Sequence, residues 1–96
     1  MSKTAAVRLE GTLSTDSDAI MLNPGKVRPG AGPRLEELRR LGYRIIIVSP
    51  IAATSFGSRI VVNWLRANAI DVYEEIWESN GIPNVDLWID DEAQKL

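Results

Sequence analysis

The chain holds neither histidine nor cysteine. The commonest general base, the imidazole ligand, the thiolate nucleophile and the disulfide are therefore all missing. Any chemistry has to rest on carboxylates, hydroxyls, lysine, arginine, tyrosine or the backbone. Among those groups, three clusters stand where a strand would end. Arg8 and Glu10 are two residues apart in the run AAVRLEGTLS, a spacing that sends both side chains to one face of an extended segment. A cation and a carboxylate side by side can pair with each other, orient an anion or move a proton. Ser49 closes the apolar run YRIIIV, and Asp90 with Asp91 closes VDLWI. A hydroxyl can donate or accept a hydrogen bond, and an acidic pair concentrates negative charge at a strand end.

Hydrophobic periodicity places the elements that must carry these groups. Residues 5–7 with Leu9 form a short apolar run leading into Gly11 and Thr12, as a buried strand leads into a turn. Residues 14–32 are rich in serine, aspartate, glycine and proline and predict a long surface connection. At that length it is a candidate lid or binding loop over the mouth of the first strand, with Asp16 and Asp18 expected to be solvated. Pro33 suits a first helical position. Leu35, Leu38 and Leu41 then make an inward stripe, Glu36 and Arg40 an outward pair four apart, and Gly42 a left-handed stop. Residues 43–48 carry three isoleucines and a valine, which predicts a strand buried on both faces. Residues 50–57 predict a loop, with Ser55 or Ser58 capping a helix whose apolar stripe is Ile60, Val61, Trp64 and Leu65 and whose end is Asn68. A short strand is expected at residues 71–73, and 74–78 fit helix or strand. Residues 79–84 carry turn chemistry before a last strand at 85–89.

Strands alternating with helices imply right-handed crossovers and a mainly parallel sheet. The expected fold is a single α/β domain over residues 1–96, a three-layer α/β/α sandwich with a Rossmann-like sheet. Ligands of such sheets gather at the carboxyl ends of the strands, where Arg8, Glu10, Ser49, Asp90 and Asp91 converge. Composition narrows the partners. Ninety-six residues with 45% apolar content support one core, and a net charge of -2 gives no cationic surplus for nucleic acid. No apolar run approaches the roughly 20 residues that span a bilayer, and the amino terminus lacks the apolar core of a signal peptide. A cytoplasmic protein without membrane contact is expected. Trp64, Trp77 and Trp88 are expected mainly in the core, whereas an exposed ring would mark a protein partner or a homo-oligomer contact.

Taken in order, these segments resemble the haloacid dehalogenase-like (HAD) superfamily, most of whose members are magnesium-dependent phosphatases and related phosphotransferases. The family's first motif, a strand followed by Asp-x-Asp-Gly-Thr-Leu, is matched in frame by Arg8-Leu9-Glu10-Gly11-Thr12-Leu13. The second, an apolar strand ending in serine or threonine, is matched by IIIVS with Ser49. The third, a lysine often found in a Gly-Lys-Pro turn, has Gly81-Ile82-Pro83 in its place. The fourth, an apolar strand ending in two acidic residues, is matched by VDLWIDD with Asp90 and Asp91. The matches span nearly the whole chain and resemble the small members without a large cap.

The resemblance implies roles that the residues present do not all fill. In the family the first aspartate attacks phosphorus and becomes an aspartyl phosphate; Arg8 has no lone pair to offer. The second aspartate, the general acid and base, is Glu10, whose extra methylene moves the carboxyl by roughly an ångström in a site where that can cost about a hundredfold. The lysine is replaced by Ile82. Magnesium is held in the family by the first aspartate, a backbone carbonyl and the acidic pair. A guanidinium about 4 Å from a divalent ion costs roughly 8 kcal/mol at an effective dielectric of 20, so no cofactor is expected. Arg8 is expected to pair instead with Asp90 or Glu10 in bidentate geometry. The expectation is a phosphatase-fold domain that has lost aspartyl-phosphate chemistry and acts as a non-catalytic binding or interaction module. Glu10 and Ser49 are its vestigial catalytic residues, and Arg8, Gly11, Thr12 and Ser49 are the groups that could still hold phosphate or another small anion. The alternative is a metal-dependent phosphohydrolase in which Glu10, Asp90 and Asp91 bind magnesium and activate water directly.

Overall fold

Strand β1 (Lys3–Arg8) runs parallel between β4 (Tyr43–Val48) and β6 (Leu87–Ile89), with β5 (Glu75–Trp77) beyond β4, so the sheet order is β5-β4-β1-β6. These elements come from a computed structural model that describes residues 3–78 and 84–90. Val7 stands opposite Ile47 on one side and Ile89 on the other, and Ala6 opposite Ile46 and Trp88. Neighbouring rows therefore point to opposite faces. Residues 45–48 are at most 1% exposed, which is what an unbroken β-branched run requires of a central strand.

Helix α1 (Ala31–Arg40) links β1 to β4, and α2 (Ser55–Ala67) links β4 to β5. Leu35 and Leu38 of α1 and Val61 and Leu65 of α2 share one buried cluster with Val7, Leu9, Ile45 and Ile47. Both helices thus cover the same face. Two successive crossovers of one hand that step in one direction across a sheet must do this. On the other face Ala6, Ile46 and Val48 pack beneath Trp77, Val85 and Trp88. No helix lies there among the described residues, so the second helical layer expected from the sequence is not among them. The described residues form an α/β fold with a parallel, Rossmann-like four-stranded sheet and two α-helices. No helix among the described residues is long and apolar enough to cross a membrane.

Several local expectations shift. The connection after β1 contains a short antiparallel hairpin, β2 (Ser14–Thr15) with β3 (Lys26–Val27). Helix α1 begins at Ala31, so Pro33 is its third residue; it remains in the first turn, where a missing N–H has no intrahelical partner to lose. Leu41 is the C-cap and 58% exposed, and the stripe ends at Leu38. Arg40 pairs with Glu37 at 2.7 Å rather than with Glu36. Residues Pro50–Ala53 wind into a 3-10 turn, which leaves Thr54 in an extended conformation directly before α2. Thr54 Oγ1 accepts from the Gly57 N–H at 3.0 Å and is the cap in place of Ser55 or Ser58. The strand expected at 71–73 lies at Glu75–Trp77. Ile70 and Val72 fill the core as the chain crosses below the sheet, and pairing starts only at Glu74, whose N–H donates to the Ile45 carbonyl at 2.8 Å.

Candidate functional site

The ladder between β1 and β4 continues one step past the strand, with the Leu9 N–H on the Val48 carbonyl at 2.9 Å. The chain then coils: the N–H groups of Leu13 and Ser14 both donate to the Leu9 carbonyl, at 3.0 and 3.1 Å. Gly11 takes a φ of 84° inside this turn, a conformation that favours glycine. Leu9 and Leu13 are buried to within 1%. These two apolar anchors fix where the intervening Glu10, Gly11 and Thr12 stand.

Ser49 follows β4 and is fully buried. Its Oγ accepts from the Ile51 N–H at 3.1 Å, as the cap of the 3-10 turn. That contact leaves the hydroxyl hydrogen for Glu10, and Ser49 Oγ donates to Glu10 Oε2 at 2.5 Å. A hydrogen bond to a carboxylate is stronger than a neutral one. Arg8 lies on the other side, with Nε 4.0 Å from Glu10 Oε1. The sequence pattern therefore does bring Arg8, Glu10 and Ser49 together, but not as a bidentate Arg8 pair. The glutamate arm is drawn to the serine, and its buried Oε1 accepts no hydrogen bond. The Glu10 side chain is 10% exposed and that of Arg8 38%, so solvent screens the arginine more than the carboxylate.

Of the two remaining expected anion-binding residues, Gly11 is committed within the chain and Thr12 is not. The Gly11 N–H donates to the Ser14 carbonyl at 3.1 Å. Thr12 Oγ1 is buried without a hydrogen-bond partner. A residue that the sequence did not single out, Arg28, closes over this turn: its backbone N–H donates to the Leu13 carbonyl and its Nη2 to the Gly11 carbonyl, both at 2.8 Å. Its Nε is buried with no partner. The excursion that carries Arg28 is held from the other side by Trp64, whose Nε1–H donates to the Gly25 carbonyl at 2.8 Å. Only the length of that connection hinted at such a role. Asp16 and Asp18 are exposed, and Asp18 Oδ1 accepts locally from the Ile20 and Met21 N–H groups.

Asp90 ends β6 next to β1, and its Oδ2 accepts from Trp88 Nε1–H at 2.7 Å. Asp91, Gly81, Ile82 and Pro83 lie outside the described residues. Of the oxygens expected to hold magnesium, Glu10 Oε2 and Asp90 Oδ2 accept hydrogen bonds, and Arg8 Nε stands 4.0 Å from Glu10 Oε1.

The three tryptophans are half-buried, Trp64 against the helical face and Trp77 and Trp88 against the other. The exposed apolar side chains are others: Ile20 at 93%, Met21 at 73% and Phe56 at 63%. Ile20 and Met21 belong to the excursion after β1, and Phe56 to the first turn of α2 after β4, so all three sit at the end of the sheet where the candidate site lies. Ile20 and Met21 lie in the short apolar run 19–22 and Phe56 stands alone, and neither stretch is long enough to carry a periodic signal. A groove of about 250 Å³ lies elsewhere, lined by Thr4, Arg44, Ile46, Trp77 and residues 84–86. Its charges are spoken for: Arg44 pairs with Glu75 at 3.1 Å, and Asp86 Oδ2 accepts from the Thr4 N–H at 2.7 Å. The Trp77 indole, and after it Arg44, holds the Glu75 carboxyl below the usual glutamate range.

Compared with known proteins, the chain matches no family model, no curated protein and no solved structure.

Proposed function

We propose that this is a HAD-like domain that has lost aspartyl-phosphate chemistry and serves as a non-catalytic binding or interaction module. The observation that carries the proposal is the Ser49–Glu10–Arg8 cluster, in which the hydroxyl and the cation that would meet a phosphate are directed at a carboxylate of the chain itself. A nucleophile is missing at the end of β1, because a guanidinium cannot attack phosphorus. The parallel order β4-β1-β6 supports the family reading, since it sets the ends of the three motif strands side by side. The three-layer arrangement belongs to the same proposal: the face formed by Ala6, Ile46 and Val48 is where a second helical layer would lie. The Ser49 hydrogen bond on Glu10 Oε2 and the Arg8 guanidinium beside Oε1 support a domain that works without magnesium. Exposed Ile20, Met21 and Phe56 favour a protein partner, or a second copy, over a small anion as what the module contacts.

Turnover is the test. Wild-type protein with magnesium and an aryl phosphate is expected to release phosphate no faster than buffer. Magnesium-dependent turnover that Glu10→Ala abolishes would overturn the proposal in favour of a phosphohydrolase built on Glu10, Asp90 and Asp91. Restoring the family's residues by Arg8→Asp, Glu10→Asp and Ile82→Lys is expected to admit magnesium, because it replaces a cation with a ligand where the ion would sit.

A further inference from the structure

Three features meet at the mouth of β1: a buried serine hydroxyl that caps a 3-10 turn, a guanidinium at ion-pair distance, and a carboxylate between them. We infer that this is a carboxylate seat, which the chain fills with Glu10 and thereby closes to outside anions. The inference deepens the reading above and rests on the same crevice.

The Ile51 N–H occupies one lone pair of Ser49 Oγ at 3.1 Å, and the hydroxyl hydrogen is donated to Glu10 Oε2 at 2.5 Å. Arg8 Nε faces the second oxygen at 4.0 Å. Arg28 is placed by its contact with the Gly11 carbonyl, one residue from Glu10, and its Nε is buried and unpartnered. Thr12 Oγ1, two residues from Glu10, is in the same condition. Buried polar groups left without partners are uncommon and costly. Glu10 Oε1 is a third such atom. Truncating Glu10 removes the negative charge and leaves the Ser49 hydroxyl and the Arg8 guanidinium facing the vacated volume. A free carboxylate of the right size is the ligand that such a lining recognises.

The experiment is chemical rescue of Glu10→Ala by formate, with chloride at equal ionic strength as the control and thermal unfolding as the readout. Three heavy atoms at the efficiency ceiling of very small ligands give a dissociation constant near about 1 mM. The unfolding midpoint of the variant should then rise by up to about 10 °C in 100 mM formate relative to chloride. Wild type and Glu10→Gln, whose seats are filled, should show no formate-specific rise. Adding Arg8→Ala to Glu10→Ala should reduce the rescue. If Glu10→Ala does not fold in chloride, folding on addition of formate supports the inference, and failure to fold in formate overturns it. It is equally overturned by a folded Glu10→Ala that does not distinguish formate from chloride, or by wild type responding as strongly as the variant. Phosphatase turnover by wild type would defeat the functional reading while leaving the formate response intact, so the two failures are distinguishable.

Discussion

Gly57 and Gly32 both lie in helices, and helix propensity alone says that alanine should stabilise at either one, by up to about 1 kcal/mol. Their surroundings reverse the sign at one of them. A Cβ built on Gly57 would stand 1.8 Å from the Ile51 carbonyl oxygen and 2.9 Å from its carbon. Both are backbone atoms of the 3-10 turn and cannot swing aside. The same residue's N–H holds Ser49 Oγ, so relieving the clash pulls on the group that faces Glu10. Overpacking costs about 1 to 3 kcal/mol, and a disturbed hydrogen bond to a charged group about 1.5 to 3 more. Set against the propensity gain, Gly57→Ala should destabilise by about 2 to 4 kcal/mol, a large part of the roughly 5 to 14 kcal/mol typical of a chain this long. A Cβ on Gly32 meets nothing within 4 Å, so Gly32→Ala should stabilise by about 0.5 kcal/mol. Urea unfolding followed by tryptophan fluorescence measures both, with Gly57→Ala moving the midpoint down by roughly 2 M. A Gly57→Ala midpoint at or above wild type would refute the close approach of Ile51, and with it the placement of Ser49.

Ser49→Ala removes a cap and the donor to Glu10 together, and should cost about 2 to 4 kcal/mol; in a double-mutant cycle with Glu10→Ala the pair should couple by about 1 to 3 kcal/mol, and simple additivity would count against their contact. Glu75 makes a pH-dependent contribution, because its folded-state pKa lies below the unfolded one. That contribution is complete above the unfolded value and disappears as pH falls through the ordinary glutamate range to the folded value. The stability difference between wild type and Glu75→Gln should therefore shrink towards acid, and a difference independent of pH across that range would contradict the Trp77 and Arg44 contacts.

The parts of the fold legible in the sequence are those whose signal is local. The β-branched run 45–48 and the stripes of Leu35, Leu38, Val61 and Leu65 stand out because burial repeats with the period of the element itself. What sequence missed depends on partners far along the chain. The strand 75–77 has too few residues to declare a register, and the Glu74–Ile45 hydrogen bond sets it. The helices share one face only because β4 and β5 lie successively on one side of β1, a spatial order no local pattern records.

At the site the division is finer. Period-two spacing puts Arg8 beside Glu10, but it does not say which partner the carboxylate prefers. Burial decides it: the fully buried Ser49 hydroxyl has no water to turn to, whereas the arginine, 38% exposed, does. The methylene that separates glutamate from aspartate thus has two consequences at once. It extends the carboxylate to the hydroxyl at the end of β4, and, under the proposed HAD-like reading, it takes that carboxylate away from the position of the family's general base. The carboxylate seat therefore turns on Glu10, whereas the proposed loss of aspartyl-phosphate chemistry turns on Arg8 as well, since a guanidinium cannot attack phosphorus.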